Sequence, residues 1–311
     1  MALTKSDIPE LLVPGLKAEF ASAYRTELDH SIADRIATVI NTTQPSQKYA
    51  WLGTVPPMSE FVDERKPSGM AAYSVTIEDK VFEASISVDR RAIEDDQLDL
   101  IRMKVRDLAF RVSAHRQQIV VEALANGTTG VGYNGQPLIS NSHPVRGGTY
   151  SNRTGAALDA TTLAGAINSM MLTPDDQGTP LGISPDTLVI GPKLQWTAME
   201  LVESPVVVYQ GNTNDTAAST PYLNAFKGRL NVVVSPFLNG TFDDYWFLLD
   251  TKRPIKGVIL QQRSDVPVEF TAMDDPNASE AAWMRDRFYY GVRGRYNVGF
   301  GLWQTVHGGV V

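Results

Sequence analysis

The sequence of 311 residues contains no cysteine, which excludes disulfide bonds, thiol nucleophiles and cysteine metal ligands. No apolar run approaches the length of about 18 residues that a membrane-spanning helix needs. The opening residues, Met-Ala-Leu-Thr-Lys-Ser-Asp, lack the apolar core of a secretory signal. Because 43% of the residues are apolar, we expect a soluble globular protein with a real core and no membrane partner.

Basic charge is also in short supply. The chain has 28 basic and 35 acidic residues, a net charge of −7. Phosphate would be repelled by the chain as a whole, so a dedicated nucleic-acid binder is disfavoured. A protein that surrounds nucleic acid without gripping it is compatible with this balance.

The motifs of catalysis and metal binding are missing as well. None of the four histidines has a second ligand at metal-binding spacing, and there is no nucleophile elbow and no phosphate-binding loop. Gly130–Gly135 matches the dinucleotide fingerprint by letter. That fingerprint must follow a strand and open a helix, whereas this segment follows a helical pattern and runs into Pro137. We therefore expect no enzyme, no cofactor and no metal site.

The dominant pattern that is present is a long helix over about 98–126. Its apolar residues recur at steps of three and four and form one stripe, with His115 where an apolar residue would be expected. The stripe consists of Leu98, Ile101, Val105, Leu108, Val112 and Ile119. At about 1.5 Å per residue the helix would be about 45 Å long, the length of a strut rather than of an ordinary core helix.

Before this helix lie two segments of alternating polarity, about 73–77 and 82–88. They predict a β-hairpin whose tip is Asp79-Lys80. An isolated two-stranded hairpin is only marginally stable in water. We therefore expect it to lie on something else, such as another copy of the chain, which its tip would reach.

The remaining segments give a mixed picture. Residues 1–40 contain a helical pattern that is broken at Pro14-Gly15. This pattern fits either a mobile arm or a packed helix. Residues 41–69 have the composition of a loop. Residues 159–262 alternate helical patterns with short apolar strands. Residues 284–303 alternate strictly, which predicts an extended strand or a hairpin with one apolar face that could pack on the long helix. Arginines occupy its other face, and we favour acidic residues of a neighbouring subunit, or water, over phosphate as their partners.

The motifs, taken in order, resemble a known family, the major head subunits (T proteins) of Mu-like bacteriophages and prophages. The likeness spans nearly the whole chain, and it rests on the order and spacing of the motifs together. They are Tyr49–Gly53, Glu60–Arg65, Lys80–Ile86, Ile93–Gln97, Asn134–Leu138, Ser142–Pro144, Pro185–Pro192, Tyr290–Arg293 and Gly301–Gln304.

The resemblance implies the α+β capsid fold of the Hong Kong 97 type. It divides the chain into an N-terminal arm (1–48), an E-loop region (49–88), a peripheral domain with the spine helix (89–156), an axial domain of α/β type (157–250) and a return to the peripheral domain (251–311). Nine residues are expected at contacts between subunits: Trp51, Tyr73, Asp79, Lys80, Phe82, Arg285, Arg287, Arg293 and Arg295.

The function implied is a shell protein that assembles with itself, as hexamers and pentamers, into the icosahedral head of a tailed phage or prophage. The implied partners are a scaffolding protein, separate because fewer than about 50 residues precede the first motif, a protease, a portal protein and packaged double-stranded DNA bound without sequence specificity. The chain would reside in the virion, and in the host cytoplasm during assembly. Two alternatives stay open: an encapsulin-like nanocompartment shell, and an oligomeric α/β enzyme whose site is not evident.

Overall fold

The computed structural model describes residues 8–29, 31–52, 72–89, 91, 98–175, 178–208, 221–265, 268–273 and 284–311. The helices with defined bounds are α1 (Ile8–Asp29), α2 (Ile32–Ile36), α3 (Leu98–Ala125), α4 (Ala160–Met171) and α5 (Gln195–Val202). Short 3-10 turns occur at Asn126–Thr128, Pro192–Leu194, Gly240–Phe242 and Trp303–Thr305.

The prediction of a long helix is confirmed by α3, which has 28 residues and is therefore about 42 Å long. One side of it is buried, with Val105 and Ala109 fully inaccessible to solvent. α1 packs against this helix through Leu16 and Phe20, which are 2% and 4% exposed. Of the two alternatives for the N-terminal segment, the packed helix is thus the one observed.

Pro14 lies inside α1 and does not break it, contrary to the sequence-based prediction. A proline in a helix removes one backbone hydrogen bond. The burial of Leu16 and Phe20 on α3 stabilises the helix in spite of that loss.

A five-stranded sheet lies against α3. Its strands are β1 (Ala37–Thr42), β4 (Lys80–Asp89), β13 (Val258–Arg263), β14 (Val268–Met273) and β15 (Arg287–Phe300). β15 is 14 residues long and is the centre of the sheet. β4 runs antiparallel along one of its edges, β13 and β14 follow one another along the other, and β1 lies parallel to β13.

The alternation predicted for 284–303 is confirmed along β15. Phe288, Tyr290 and Val292 are at most 3% exposed and pack in one cluster with the buried side of α3. Residues of the other parity, such as Arg287 and Arg293, are exposed. A single strand, and not a hairpin, carries the pattern.

The predicted hairpin is wrong in its pairing. β3 (Ala72–Glu78) pairs with β2 (Ser46–Leu52), a segment predicted to be loop, and β4 pairs with β15 instead. Only Asp79 separates β3 from β4, and a tight two-residue turn favours pairs such as Asn-Gly, which are missing at this point. The chain therefore continues from one sheet into the other. We call the pair β2–β3 the ribbon; the segment 53–71 that joins its strands lies outside the described residues.

A second five-stranded sheet consists, in the order of pairing, of β11 (Asn231–Val234), β8 (Thr187–Ile190), β12 (Trp246–Leu249), β16 (Val306–Gly309) and β7 (Arg153–Thr154). The strands predicted within 187–249 are confirmed. α4, which begins with a capping box between Asp159 and Thr162, packs on this sheet together with α5. Two short hairpins complete the described strands, β5 (His143–Val145) with β6 (Gly148–Tyr150), and β9 (Val206–Val208) with β10 (Pro221–Leu223).

The two sheets share one apolar cluster. It contains Leu124 near the end of α3, Val189 and Phe247 of the second sheet, and Val258 and Leu260 of the first. β16 lies in the C-terminal range of the chain and pairs with both β12 and β7, so this segment is an inner strand of the second sheet. The C-terminal end of α3 thus holds both sheets in one body.

This packing yields a test within one helix. Leu124→Ala removes a fully buried side chain at the junction of the sheets, and we expect it to lower the free energy of unfolding by about 2–5 kcal/mol. Leu100→Ala, at a position 50% exposed on the same helix, should change it by less than about 0.5 kcal/mol. Urea denaturation of both variants measures the difference, and equal losses would contradict the proposed core.

Candidate subunit-contact site

Two of the nine residues predicted at subunit contacts lie in the ribbon. Trp51 of β2 and Tyr73 of β3 are cross-strand partners, next to the last described pair, Leu52 and Ala72. They are therefore near the end of the ribbon that lies farthest along its strands from the body. Their pairing could not be predicted from the sequence, because the segment that contains β2 was predicted to be a loop.

Asp79 and Arg295 meet within one chain. Arg295 Nη2 lies 2.6 Å from Asp79 Oδ2, and their side chains are only 29% and 7% exposed. Asp79 is not the tip of a hairpin but the point where the ribbon joins the first sheet. Its carboxylate is directed to the Arg295 side chain on β15. This ion pair within one chain therefore holds the ribbon to the first sheet.

Further contacts fasten this end of the ribbon, which we call the ribbon base. Tyr49 Oη donates to Gln261 Oε1 at 2.8 Å, and Asn297 Nδ2 donates to the Glu78 carbonyl oxygen at 2.7 Å. Ile77 is 3% exposed and lies over Gly299, where an added Cβ would come within 2.3 Å of the isoleucine side chain. β15 therefore needs glycine at this crossing. None of these contacts was predicted from sequence.

Phe82 is half-buried below the sheet and does not face away from it. Its ring centroid lies 4.5 Å from that of His115 and 5.0 Å from that of Tyr296. His115 Nδ1 lies 2.8 Å from Tyr296 Oη, a hydrogen bond between α3 and β15. Burial lowers the pKa of His115 and raises the pKa of Tyr296. The histidine at the apolar position of the helical stripe is thus a partly buried residue with a hydrogen-bond partner on β15.

The arginine face of β15 is interleaved with acidic residues. Arg293 is in register with Glu83 on β4 and with Glu269 on β14, and Arg287 is in register with Asp89. Opposite charges at such cross-strand positions attract weakly. Arg285 and Arg287 are exposed, as is Lys80 at the start of β4. This face mixes both signs and is not a uniform phosphate-binding surface.

Three of the motifs that carry the family resemblance come together in a buried polar cluster centred on Asn152. Its Nδ2 donates to the carbonyl oxygens of Leu138, Trp303 and Val306, and its Oδ1 accepts from the Ser140 amide. Asn152 itself lies between the motifs in sequence, so no pattern singled it out. It joins the segment that follows α3 to the chain end.

His143 belongs to the same cluster. Its Nε2 lies 3.0 Å from Asn152 Oδ1, its Nδ1 lies 3.0 Å from Asn134 Nδ2, and its ring stacks on Trp303 with 4.0 Å between centroids. Burial lowers its pKa to about 4 in spite of the Asn152 hydrogen bond. Burial also lowers the pKa of His307 to about 4, and neither ring nitrogen of His307 has a hydrogen-bond partner among the described residues.

The described residues contain no group of three His, Asp or Glu side chains arranged to hold a metal ion. Over the same part of the chain, no helix has the length and apolar character required to cross a membrane.

The Asp79–Arg295 ion pair at the ribbon base can be tested by mutation. Asp79→Ala leaves a mostly buried guanidinium without its acid and should cost about 1–3 kcal/mol of unfolding free energy. Amide exchange in 46–52 and 72–78 should speed up as well, because the ribbon base loosens. The double variant Asp79→Ala/Arg295→Met should recover most of the loss, and Glu83→Ala, at an exposed acid on β4, serves as the control. If Asp79→Ala were as stable as the parent, the ion pair would not hold the ribbon base.

The two buried histidines predict acid sensitivity. Their folded-state pKa is about 4 and the unfolded value is about 6.5, so below pH 6.5 the unfolded chain binds protons that the folded chain refuses. Stability should be complete above that value and fall towards pH 4, by up to about 1.4 kcal/mol per pH unit for each histidine. Urea denaturation between pH 7.5 and 4.5 measures the slope. His307→Leu should reduce it, and an unchanged slope in that variant would refute the assignment.

Comparison with known proteins identifies relatives of this fold. The procapsid of bacteriophage JBD30 contains a chain that matches with a TM-score of 0.55 and 26% sequence identity, over 96% of this chain and 74% of that one. The major head subunit of the Mu-like prophage FluMu of Haemophilus influenzae is 25% identical over 273 residues, which are 88% of this chain and 64% of the relative. The major capsid protein of Escherichia phage Mu is 29% identical over 132 residues, 42% of each chain.

The chain therefore spans less than two thirds of the length of the curated relatives it matches. The solved neighbours include phage capsids of the Hong Kong 97 type, and the α+β fold expected from the sequence is confirmed. The family model described as Mu-like prophage major head subunit gpT matches residues 10–159, 149–238 and 221–310. The predicted resemblance is thus confirmed, and the chain belongs to the family of Mu-like prophage major head subunits.

Proposed function

We propose that the chain is the major head subunit of a tailed phage or prophage and assembles with itself into the icosahedral shell around a double-stranded DNA genome. The observation that carries this proposal is the family match, which runs from residue 10 to residue 310. A capsid-type fold supports it at the level of architecture. The family match also favours a phage head over an encapsulin-like compartment, and a structural role over an enzyme.

Assembly would be driven by many modest contacts. In a closed shell each copy meets several neighbours through the same surfaces, so interactions that are weak in pairs add up over the particle. We propose that copies form both hexamers and pentamers. The net charge of −7 would keep the inner wall from binding DNA tightly, which suits a container that is filled and emptied.

The partners proposed for this process are a separate scaffolding protein and a protease during assembly, a portal protein at one vertex, and DNA held without sequence-specific contacts. The mature location would be the virion, after assembly in the host cytoplasm. We also propose that the chain itself carries no enzymatic activity and no cofactor.

We propose the following division of the chain: arm 1–48, E-loop region 49–88, peripheral domain 89–156, axial domain 157–250 and return 251–311. The arrangement of the strands supports a ribbon in the E-loop region, and β16 would extend the return into the axial sheet. α3 would be the spine helix.

Among the proposed contact residues, those on the ribbon, those on the exposed face of β15 and two exposed residues outside both suit a neighbouring subunit best. These are Trp51, Tyr73, Lys80, Arg285, Arg287 and Arg293. Asp79, Phe82 and Arg295 would act indirectly, because they hold the ribbon base within their own chain. The part of the ribbon beyond its base would be what reaches the next copy.

The test is assembly of the purified chain, alone and with a scaffolding partner. We expect closed particles by negative-stain microscopy and light scattering, and double-stranded DNA in particles from infected or induced cells. Trp51→Ala/Tyr73→Ala should keep the parent's thermal unfolding but lose particles. Val131→Ala, at a position 65% exposed in another segment, should assemble normally. Small oligomers of fixed size under all conditions would contradict the proposal.

A further inference from the structure

The first sheet ends at a long strand that is paired on one side. All ten residues of β4, Lys80–Asp89, are in continuous register with β15, from Tyr296 to Arg287. Within the described ranges, no strand pairs with the other edge of β4. Every second residue of this strand therefore directs its amide and carbonyl groups away from the sheet.

Over the described residues, this edge lacks most of the features that usually protect a free edge. Soluble proteins block such edges with proline, bulges, very short strands or charged side chains that point inward. β4 contains no proline and no bulge, and the residues that face α3 are apolar: Phe82, Ala84, Ile86 and Val88. Its charges lie at its ends and on the opposite face, as with Glu83.

At the same edge of the sheet, the apolar side chains that face α3 are only partly covered. On β15, Phe288 and Tyr290 are 2% and 0% exposed. Their register partners on β4, Val88 and Ile86, are only partly buried although they belong to the same cluster. One more strand beside β4 would cover these side chains, and the burial of apolar area would favour its addition.

The opposite face of β4 leaves room for close approach. Ser85 and Ser87 are exposed and small, so no bulky side chain stands over the middle of the strand. A partner recognised here would be an extended segment held by main-chain hydrogen bonds, with alternate apolar side chains directed towards α3.

We propose that the free edge of β4 pairs with an extended segment of a second copy of this chain, which becomes a sixth strand of the first sheet. A second copy is the favoured occupant because the chain belongs to a family of head subunits, whose copies lie side by side, and because main-chain pairing needs no special partner sequence. This inference rests on the proposed function. It adds to that function a named surface and a mode of contact.

The first experiment is amide hydrogen exchange of the full chain, unassembled and in particles. The outward amides of 80–89 should exchange on the order of tenfold more slowly in particles, while amides paired to β15 are protected in both states. Particles with no added protection at β4 would overturn this inference and leave the proposed function standing. Outward amides already protected in the unassembled chain would overturn it too, since the chain would then cover its own edge. A parent chain that never assembles would contradict both proposals.

The second experiment uses proline at neighbouring positions. Because adjacent residues direct their amides to opposite sides, one of Ala84→Pro and Ser85→Pro removes a hydrogen bond to β15 and the other removes a donor from the free edge. We expect one variant to be destabilised. The other should unfold at nearly the parent's temperature but form no particles. Normal particles from the stable variant, or protection that appears only when a different protein is added, would refute pairing between copies.

Discussion

The burial of one face of β15 on α3 is the constraint on which the rest of the structure depends. Phe288, Tyr290 and Val292 lose nearly all contact with water against the helix. Because successive residues of a strand point to opposite sides, that burial also decides which residues of β15 face outward. A shift of the strand by one residue would move the arginines into the core, so the register is fixed by a large energetic difference.

Everything else in the first sheet follows from that register. β4 on one edge, and β13 followed by β14 on the other, align to β15. The alignment with β4 brings Asp79 to Arg295, 216 residues apart in sequence, and so determines where the ribbon leaves the body. The direction of the ribbon is therefore a consequence of core packing, transmitted through one ion pair and the Ile77–Gly299 contact.

The features that could be predicted from the sequence are those with a regular pattern of polarity over many residues. α3 and β15 were found because their patterns run for 28 and 14 residues, long enough to separate a period of 3.6 from a period of two. The ribbon was mispredicted because β3 and β4, which are consecutive in the chain, both alternate in polarity, and alternation does not say which strand pairs with which. The true partner, Ser46–Leu52, has a mixed polar and aromatic composition that looks like loop.

The predicted contact residues fall into two groups: those whose position follows from local alternation, and those whose position depends on long-range strand pairing. Exposed arginines such as Arg287 could be assigned to a face from parity alone. The positions of Asp79 and Phe82 depend on long-range strand pairing, and the sequence alone predicted both at contacts between subunits. Asn152 shows a different limit: its five hydrogen-bond partners lie in two distant segments of the chain, 138–143 and 303–306, and only the folded structure brings them to one amide.

A ribbon, and an edge strand that has no partner among the described residues, are features that a solitary soluble protein would be expected to avoid, since both leave main-chain groups open to chance pairing. The chain keeps them beside a well-packed body in which the two sheets share one core. The body would therefore fold as a unit without help from neighbours, while the open strands would still be available afterwards. The proposed shell would need this separation: subunits that fold first and pair later can exchange neighbours while a particle closes, if the contacts between them are weaker than those that hold each subunit together.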